Sequence, residues 1–226
     1  MVRMATKSHR GERRTEALSK DRIVAAAIDI LDADGEAALT FRALTARLAT
    51  GAGAIYWHVA NKDELLAAVT DDVLSRVMSD AASDSEPARA IRAIALGVFD
   101  AIDAHPWIGT QLNRESGQSA MLEIFERVGV QLRALGVPAG SRFDSASALV
   151  NYILGVAAQN AAAARLNAHL TDRSAHLAAI AARWQQRDPA LYPFVHEVAA
   201  QLRDHDDRDQ FLAGIDLILA GIATLH

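Results

Sequence analysis

The chain has 226 residues, of which 51% are apolar and 23% charged, which indicates a globular protein with a substantial core in one or two domains. It contains no cysteine, which excludes disulfides, thiol catalysis and thiolate metal sites. No apolar run approaches the roughly 18 residues of a membrane span, and the N-terminus lacks the apolar core of a signal peptide, so we expect a cytoplasmic protein without a membrane partner.

The net charge of −5 is unevenly distributed. Residues 1–62 hold ten Lys and Arg against seven Asp and Glu, a net charge of +3, whereas residues 63–226 hold thirteen against twenty-one, a net charge of −8. A basic end on an acidic body is expected if one face contacts phosphates. Residues 1–18 have few large apolar side chains and predict a flexible arm, which either follows DNA or only improves solubility.

A first helix is predicted directly after the arm. Ser19 caps its start, apolar residues recur at steps of three and four, and Gly35 ends it after about Asp34. This helix would close a small core over the elements that follow.

Residues 40–62 have the pattern of two short helices joined by a tight turn. The Thr40 hydroxyl can cap the first helix, whose apolar residues lie on one face. Gly51 and Gly53 allow unusual backbone angles and predict the turn, after which a second helix would occupy about residues 54–58. Such a pair indicates a helix-turn-helix, whose second helix enters the DNA major groove.

The N-terminal DNA-binding domain of TetR-family transcriptional repressors resembles residues 18–75 of this chain, above all GAGAIYWHVANKDELL and the preceding LTFRALTARLA. The resemblance implies that eight residues contact a double-stranded DNA operator. Thr40 and Arg42 match positions that contact phosphates or bases. The positions that face bases are matched by Ala52, Gly53 and Ala54, and those that contact phosphates by Tyr56, His58 and Lys62.

Residues 52–54 carry no polar side chain, which limits direct base readout. Specificity would then depend on Arg42, on contacts with thymine methyl groups and on DNA shape. The resemblance implies that Trp57 is packed rather than reading DNA. The alternative is that Tyr56 and Trp57 are ordinary core aromatics and Lys62 a solvated surface residue.

A longer helix is predicted from Asn61, which can form a capping box with Glu64, to about residue 80. The acidic, turn-prone segment DAASDSEP then indicates a domain boundary, and the rest of the chain has helical periodicity throughout. The expected fold is all-α, with an N-terminal three-helix helix-turn-helix domain and a larger C-terminal helical bundle, about nine to ten helices in total. We assign residues 1–18 to the basic arm, 19–80 to the DNA-binding domain with its linking helix, and 87–226 to a ligand-binding and dimerisation domain.

Two body helices have the pattern of an interface. The helix after Ser141 carries a surface of small residues, and the last helix has apolar residues at steps of four and three. Across a two-fold axis they would form a four-helix contact, whereas the alternative is that both pack into their own subunit's core. The TetR resemblance favours a homodimer. The residues assigned to its interface are Gly155, Ala158, Ala162, Phe211, Ile215, Ile218 and Ile222.

A ligand pocket is predicted where polar side chains interrupt apolar helical stretches near aromatic residues. Each amide alone could instead bond to a nearby backbone group or line a dimer seam. The TetR resemblance implies a pocket between the fifth and eighth helices but does not identify the effector. The residues assigned to ligand binding are Phe99, His105, Trp107, Gln111, Phe125, Asn151, Tyr152, Gln159 and Trp184.

We find no nucleophile motif, phosphate loop, dinucleotide fingerprint or metal-ligand spacing, so no enzyme activity, metal or cofactor is expected. The hypothesis from the sequence is a homodimeric repressor that binds a pseudo-palindromic operator and is released by a small-molecule effector. One alternative is a helical module that binds a protein partner. Another is a DNA-binding regulator that does not depend on a ligand.

Overall fold

Eleven α-helices, joined by short turns and 3₁₀ segments, form the part of the chain that a computed structural model describes, residues 18–81, 86–114, 119–167 and 172–225. The helices are α1 (Lys20–Asp34), α2 (Phe41–Leu48), α3 (Ala52–Tyr56), α4 (Lys62–Ala81), α5 (Pro87–Ala104), α6 (Trp107–Arg114), α7 (Ser119–Ala134), α8 (Arg142–Leu166), α9 (Arg173–Gln185), α10 (Pro193–Val198) and α11 (Asp207–Ile222). These residues contain no strand, and the predicted all-α class is confirmed. The described residues hold eleven α-helices where about nine to ten were expected, and the shortest are α3 with five residues and α10 with six. The predicted arm lies outside the described residues except for Leu18.

Local signals set both ends of α1. The Ser19 hydroxyl accepts a hydrogen bond from the main-chain N–H of Arg22 at 3.2 Å. Gly35 follows the helix with a φ of 75°, and its N–H donates to the Leu31 carbonyl at 3.1 Å. The predicted start and end are therefore confirmed.

The predicted cap of α4 is present with one change. The Asn61 side-chain oxygen accepts from the Glu64 N–H at 2.8 Å. The Glu64 carboxylate accepts in return from the N–H of Ala60 at 2.7 Å, rather than from Asn61 as in a standard capping box. The carboxylate thus also holds the chain that enters α4.

The turn between α2 and α3 depends on an alanine rather than on a glycine. Ala49 has φ 49° and ψ 47°, the left-handed conformation, whereas Gly51 has φ −81° and ψ 151°, which most residues adopt. The prediction that Gly51 and Gly53 supply unusual backbone angles is therefore wrong. Helix α3 also starts two residues earlier than predicted, at Ala52, which brings Gly53 inside the helix.

One continuous apolar core connects the N-terminal helices to the body. Helix α4 packs against α1 on one side and against α5 and α7 on the other, while α5 also contacts α7, α8 and α11. The pair α9 and α10 packs mainly with the 3₁₀ segment Ala199–Asp204, and an ion pair of 2.8 Å joins Arg173 to Asp207 at the start of α11. Within the described ranges, no helix has the length and apolarity that crossing a bilayer requires.

Candidate functional site

The helix-turn-helix is held together by a few buried apolar side chains. Leu44 of α2 and Ile55 of α3 are completely buried, and Val59 is nearly so. At the edge of this core, the rings of Phe41 and Tyr56 stack with centroids 4.4 Å apart and an angle of 9° between their planes. These contacts fix the angle between the two helices and leave the outer face of α3 uncovered.

The outer face of α3 is formed by small exposed residues beside an exposed aromatic side chain. Residues 51–54 are exposed, and a Cβ atom added at Gly51 or Gly53 would meet nothing within 4 Å. Trp57 is 86% exposed, so the expectation that it is packed is wrong. Its position explains this, because Ile55 and Val59 point into the core and a residue between them on a helical turn points outward. This part of the chain therefore presents an open surface that a flat or grooved partner can approach closely.

The polar residues predicted at DNA occupy this same end of the molecule but differ in their present contacts. Arg42 is exposed at the start of α2. The Thr40 hydroxyl accepts from the Ala43 N–H at 3.1 Å, which leaves its own hydrogen free to be donated elsewhere. The Lys62 ammonium group is half-buried and donates to the Glu36 carbonyl at 2.6 Å, which uses one of its three hydrogens.

The other aromatic and imidazole candidates lie on the α3 side. Tyr56 is 53% exposed, which contradicts the alternative of an ordinary core aromatic, although one face of its ring rests on Phe41. His58 is half-buried after α3, and its main-chain N–H donates to Ile55 at 2.9 Å. Thr40, Arg42, residues 52–54, Tyr56, His58 and Lys62 thus all belong to the helix-turn-helix or its flanks.

Three residues predicted to bind a ligand instead connect the body to the N-terminal helices that carry the helix-turn-helix. One oxygen of Asp32 accepts from the ring nitrogen Nε1 of Trp107 and bonds to Nδ1 of His105, both at 2.8 Å. The amide of Gln111 donates to Glu36 at 3.0 Å. Asp32 lies in α1 and Glu36 just after it, so these bonds cross between the two parts of the chain.

An arginine completes this set of contacts. The Arg114 guanidinium forms an ion pair with Glu36 at 2.7 Å, with their side chains 52% and 27% exposed. We call the six residues the junction network: Asp32, Glu36, His105, Trp107, Gln111 and Arg114. Because Lys62 also bonds to the Glu36 carbonyl, the network meets the first residue of α4.

The remaining predicted ligand residues are dispersed. Phe99 is buried against Phe211 with ring centroids 4.7 Å apart. The Tyr152 ring also stacks on Phe211, with ring centroids 5.7 Å apart. The Tyr152 hydroxyl donates to the Phe211 carbonyl at 3.3 Å, and burial raises the pKa of this phenol above its ordinary value. These three aromatic residues form a packing contact between α5, α8 and α11 rather than the wall of a pocket.

Four further candidates do not join them. Asn151 and Gln159 are exposed on α8, Trp184 is half-buried on α9, and Phe125 is half-buried on α7. The Phe125 ring lies 5.9 Å from that of Phe143, which is 70% exposed. The structure therefore does not bring the nine predicted residues around one cavity, because spacing within a helix does not determine which neighbour each face meets.

The cavities in the described part of the chain include three that hold at most one of the predicted ligand residues each. The first, of 540 Å³, lies between α1, α4 and α5, and His105 is the one predicted ligand residue on its wall. The second, of 340 Å³, lies between α4 and α7. The third, of 330 Å³, lies where α1, α6 and the end of α8 meet, and Trp107 lines it.

The predicted dimer seam is only partly exposed. Phe211 and Ile215 are completely buried and Ile222 is 7% exposed, so these three residues pack into their own chain and cannot face a partner. The heptad-like spacing does produce an apolar stripe along α11, but its buried residues face the core of their own chain. Of the other assigned residues, Gly155 and Ala162 are exposed, while Ala158 and Ile218 are half-buried.

Comparison with known proteins decides the family. Residues 23–69 match the family described as bacterial regulatory proteins, tetR family, and residues 85–226 match the one described as the tetracyclin repressor-like C-terminal domain. The chain belongs to the TetR family. It is therefore a helix-turn-helix transcriptional regulator, in a family that is not enzymatic.

Relatives of this TetR-family chain include both curated proteins and solved structures. It is 30% identical over 219 residues to the HTH-type transcriptional repressor DrrR1 of Streptomyces coeruleorubidus, which covers 92% of this chain and 78% of that protein. An HTH-type transcriptional regulator of Saccharopolyspora erythraea is 31% identical over 140 residues, which span 61% of this chain and 59% of the relative's length.

Among solved structures, the TetR regulator SCO7222 of Streptomyces coelicolor is 51% identical with a TM-score of 0.85, covering 92% of this chain and 99% of that chain. The structure of the Streptomyces coelicolor TetR family protein ActR in complex with (S)-DNPA is 25% identical, with a TM-score of 0.72 and coverage of 92% and 98%. The likeness therefore extends over nearly the whole length of both solved chains.

Sequence reasoning missed one side of the junction network. Asp32 lies near the end of α1 and Glu36 just after it, and in the sequence both look like ordinary acidic residues of a helix surface. Their partners lie more than 70 residues further along the chain, so no local pattern connects them. The sequence did offer one signal, the i, i+4 spacing of Trp107 and Gln111, which places both on one helix face. Both are buried in the structure, and a buried indole N–H or amide needs an acceptor.

Proposed function

We propose that this TetR-family regulator represses transcription by binding a pseudo-palindromic operator as a homodimer and is released by a small-molecule effector. Residues 19–80 would read the DNA, and residues 87–226 would dimerise and hold the effector. The observation that carries the proposal is the open outer face of α3, where residues 51–54 and Trp57 are exposed; Arg42 is exposed at the start of the neighbouring helix α2.

The geometry of this face suits a major groove. Residues 52–54 project no bulk, so the α3 backbone can lie close to base edges, and their methyl groups can contact thymine. Thr40, Arg42 and Tyr56 are exposed in the same helix-turn-helix, and half-buried His58 follows α3. Their side chains would supply hydrogen-bond donors for phosphates or bases. Lys62 would contribute through the two ammonium hydrogens that Glu36 does not use.

The test is selection of bound duplexes from a random DNA library, followed by binding measurements with two matched glycine variants. Gly53→Glu adds a carboxylate to the α3 face, and Gly140→Glu adds the same charge to an exposed turn; neither new Cβ meets another atom within 4 Å. We expect an inverted repeat whose binding is lost in Gly53→Glu and retained in Gly140→Glu. Equal binding by both variants would refute this face as the DNA contact.

Salt dependence separates DNA binding from the protein-partner alternative. If phosphates dominate, the logarithm of the binding constant falls linearly with the logarithm of salt concentration. Replacing Arg42 by Ala should reduce that slope by about one if its contact is a phosphate, and should relax base preference if its contact is a base edge. Absence of any enriched duplex at low salt would favour a protein partner instead.

The proposed dimer uses the exposed faces of α8 and α11 rather than the buried stripe. Leu217 is 76% exposed on α11 between the exposed Ala213 and Ala220, and Leu166 is 77% exposed at the end of α8. Small residues such as Gly155 let helices approach closely, and exposed leucines gain most from burial.

A charge at the centre of this face tests the dimer. We expect Leu217→Arg to be monomeric in light scattering after size-exclusion chromatography, at concentrations where the wild type is a dimer. Leu122→Arg is the matched control, because Leu122 is 59% exposed on α7. A dimer that survives Leu217→Arg would refute the assignment of this face.

Effector release requires that the ligand binds two conformations unequally. The contacts of the junction network support such a coupling, since α6 in the body is bonded to the end of α1 and, through Glu36, to Lys62 at the start of α4. A shift of α6 would therefore change the contacts that hold the helix-turn-helix. The solved structure of the relative ActR is a complex with (S)-DNPA, which supports a small-molecule effector without identifying the one for this chain.

A further inference from the structure

The 540 Å³ cavity, which we call the junction cleft, lies where the DNA-binding unit meets the body. Ile28 of α1 and Val73 and Val77 of α4 form one side, and residues of α5 form the other. Its volume falls in the range of about 300–1,000 Å³ that is typical of sites for drug-sized molecules. It differs from the pocket expected between the fifth and eighth helices, since two of its three helices belong to the DNA-binding side.

The cleft is apolar inside and charged only at its edge. Seven of its ten lining residues are Ile28, Val73, Val77, Ala93, Gly97, Ala101 and Ala104, and the other three are Arg76, Asp100 and His105. A Cβ at Gly97 would overlap the side chain of Val77, so α4 and α5 already meet as closely as they can at one point of the wall. The open space therefore lies beside a rigid contact rather than at a loose one.

Each charged group at the edge already has a partner. Arg76 pairs with Asp72 at 2.6 Å, and the Asp100 carboxylate accepts hydrogen bonds from Nε and one terminal nitrogen of Arg208 at 3.2 and 3.0 Å. A charged ligand would have to lose its hydration without gaining a free counter-ion there, which is costly in an apolar site. A neutral molecule does not meet this cost.

His105 supplies one polar atom for a ligand. Its Nδ1 bonds to the Asp32 carboxylate at 2.8 Å, which places the proton on Nδ1. His105 lines the cleft, and Nε2 is the ring nitrogen that Asp32 does not use. With the proton on Nδ1, Nε2 is an acceptor that a ligand hydroxyl group would donate to.

We propose that the junction cleft binds a neutral, mainly apolar molecule that carries one hydroxyl group, such as a phenol, and that its occupation changes operator affinity. The second half of this statement rests on the proposed repressor function. An occupant would touch α1 and α4 of the DNA-binding side and His105 of the junction network at once. It would thereby favour whichever arrangement of α4 leaves the cleft open.

The first experiment measures binding without DNA, by calorimetric titration with 4-phenylphenol. Biphenyl-4-carboxylate has the same rings with a charge, and 4-methoxybiphenyl lacks the hydrogen-bond donor. We expect 4-phenylphenol to bind about tenfold or more tightly than either analogue. No binding of 4-phenylphenol, or equal binding of the carboxylate, would overturn the proposal whatever the outcome with DNA.

Cleft-filling variants locate the site. Ala104 is exposed on the cleft wall, and Ser75 is exposed on the wall of the cavity between α4 and α7. Ala104→Trp should weaken 4-phenylphenol binding about tenfold or more, whereas Ser75→Trp should not change it. Ala93→Phe, at the other end of the cleft, repeats the test should Ala104→Trp fail to give the helical circular dichroism of the wild type. Equal affinities in both cleft variants and Ser75→Trp would refute the location.

The last measurement tests the effect on DNA, with the operator recovered by selection. We expect saturating 4-phenylphenol to change operator affinity in the wild type and in Ser75→Trp but not in Ala104→Trp. An unchanged operator affinity in the wild type would overturn the effector role. Failure to recover any operator would instead count against the proposed function, while the titrations without DNA still decide whether the cleft binds.

Discussion

The junction network makes a quantitative prediction about Asp32 and Trp107. A single oxygen of Asp32 accepts hydrogen bonds from Trp107 and His105, each at 2.8 Å. Trp107 is only 6% exposed, so its N–H has little access to water if the acceptor is removed. Asp32→Ala should therefore leave a nearly buried donor without a partner.

The expected magnitude follows from these contacts. Leaving a buried donor unsatisfied costs about 1–3 kcal/mol, and we take about 1.5–2 kcal/mol because the Asp32 side chain is 34% exposed and water can replace part of the bond. In a Trp107→Phe background the N–H is already gone, and Asp32→Ala should cost only about 0.5–1 kcal/mol from the His105 bond. The His105 bond is lost in both backgrounds and cancels, so the coupling energy between the two positions should equal the Trp107 contribution of about 1.5–2 kcal/mol.

Urea unfolding at constant protein concentration measures this cycle, since the apparent stability of an oligomer depends on concentration. Asp32→Asn keeps an acceptor oxygen and should lose less stability than Asp32→Ala. The control cycle combines Asp32→Ala with Trp184→Phe, since Trp184 lies on α9 outside the network, and its free-energy changes should add. A coupling below about 0.3 kcal/mol for Asp32 and Trp107 would refute the idea that this bond holds α6 to α1.

Three further predictions concern the folding of single elements. Gly35→Ala should destabilise the chain by about 1–3 kcal/mol in urea unfolding, because φ of 75° with ψ of 179° is a conformation that only glycine adopts without strain. An unchanged unfolding midpoint would contradict this strain. Gly214→Ala should lower the melting temperature, since its Cβ would overlap the Tyr152 hydroxyl. Gly129→Ala on α7 is the control and should not lower it, because its Cβ would meet nothing within 4 Å. Equal shifts in the two variants would argue against the close contact. The pKa of Asp206 is lowered, first by a hydrogen bond from the main-chain N–H at position 209, so its stabilising contribution is present above the unfolded pKa and is lost as pH falls below about 4. Asp206→Asn should remove that part of the acid dependence of unfolding, and parallel pH profiles for the two proteins would contradict it.

Local chemistry let the sequence alone determine most helix positions and the family motif. Ser19, Gly35, Asn61 and Glu64 act on backbone groups within four residues of themselves, so their role can be read without a partner. The helix-turn-helix is likewise a contiguous segment. Even here one detail failed, since the backbone took its left-handed residue at Ala49 although glycines were two and four positions away.

Only the tertiary structure decided which side of each helix faces inward and which distant residues meet. The stripe that includes Phe211 and Ile215 fits both a dimer seam and an internal core on periodicity alone, and the packing of α5 and α8 against α11 made it internal. A tryptophan in a helix is typical of a core residue. Here Ile55 and Val59 fill the core, and Trp57 points outward on the opposite side. The sequence predicts His105 and Trp107 as ligand contacts and cannot connect them to their actual partner Asp32, which lies more than 70 residues earlier in the chain. Helical periodicity defines a face, but the chain's path in space determines what that face meets.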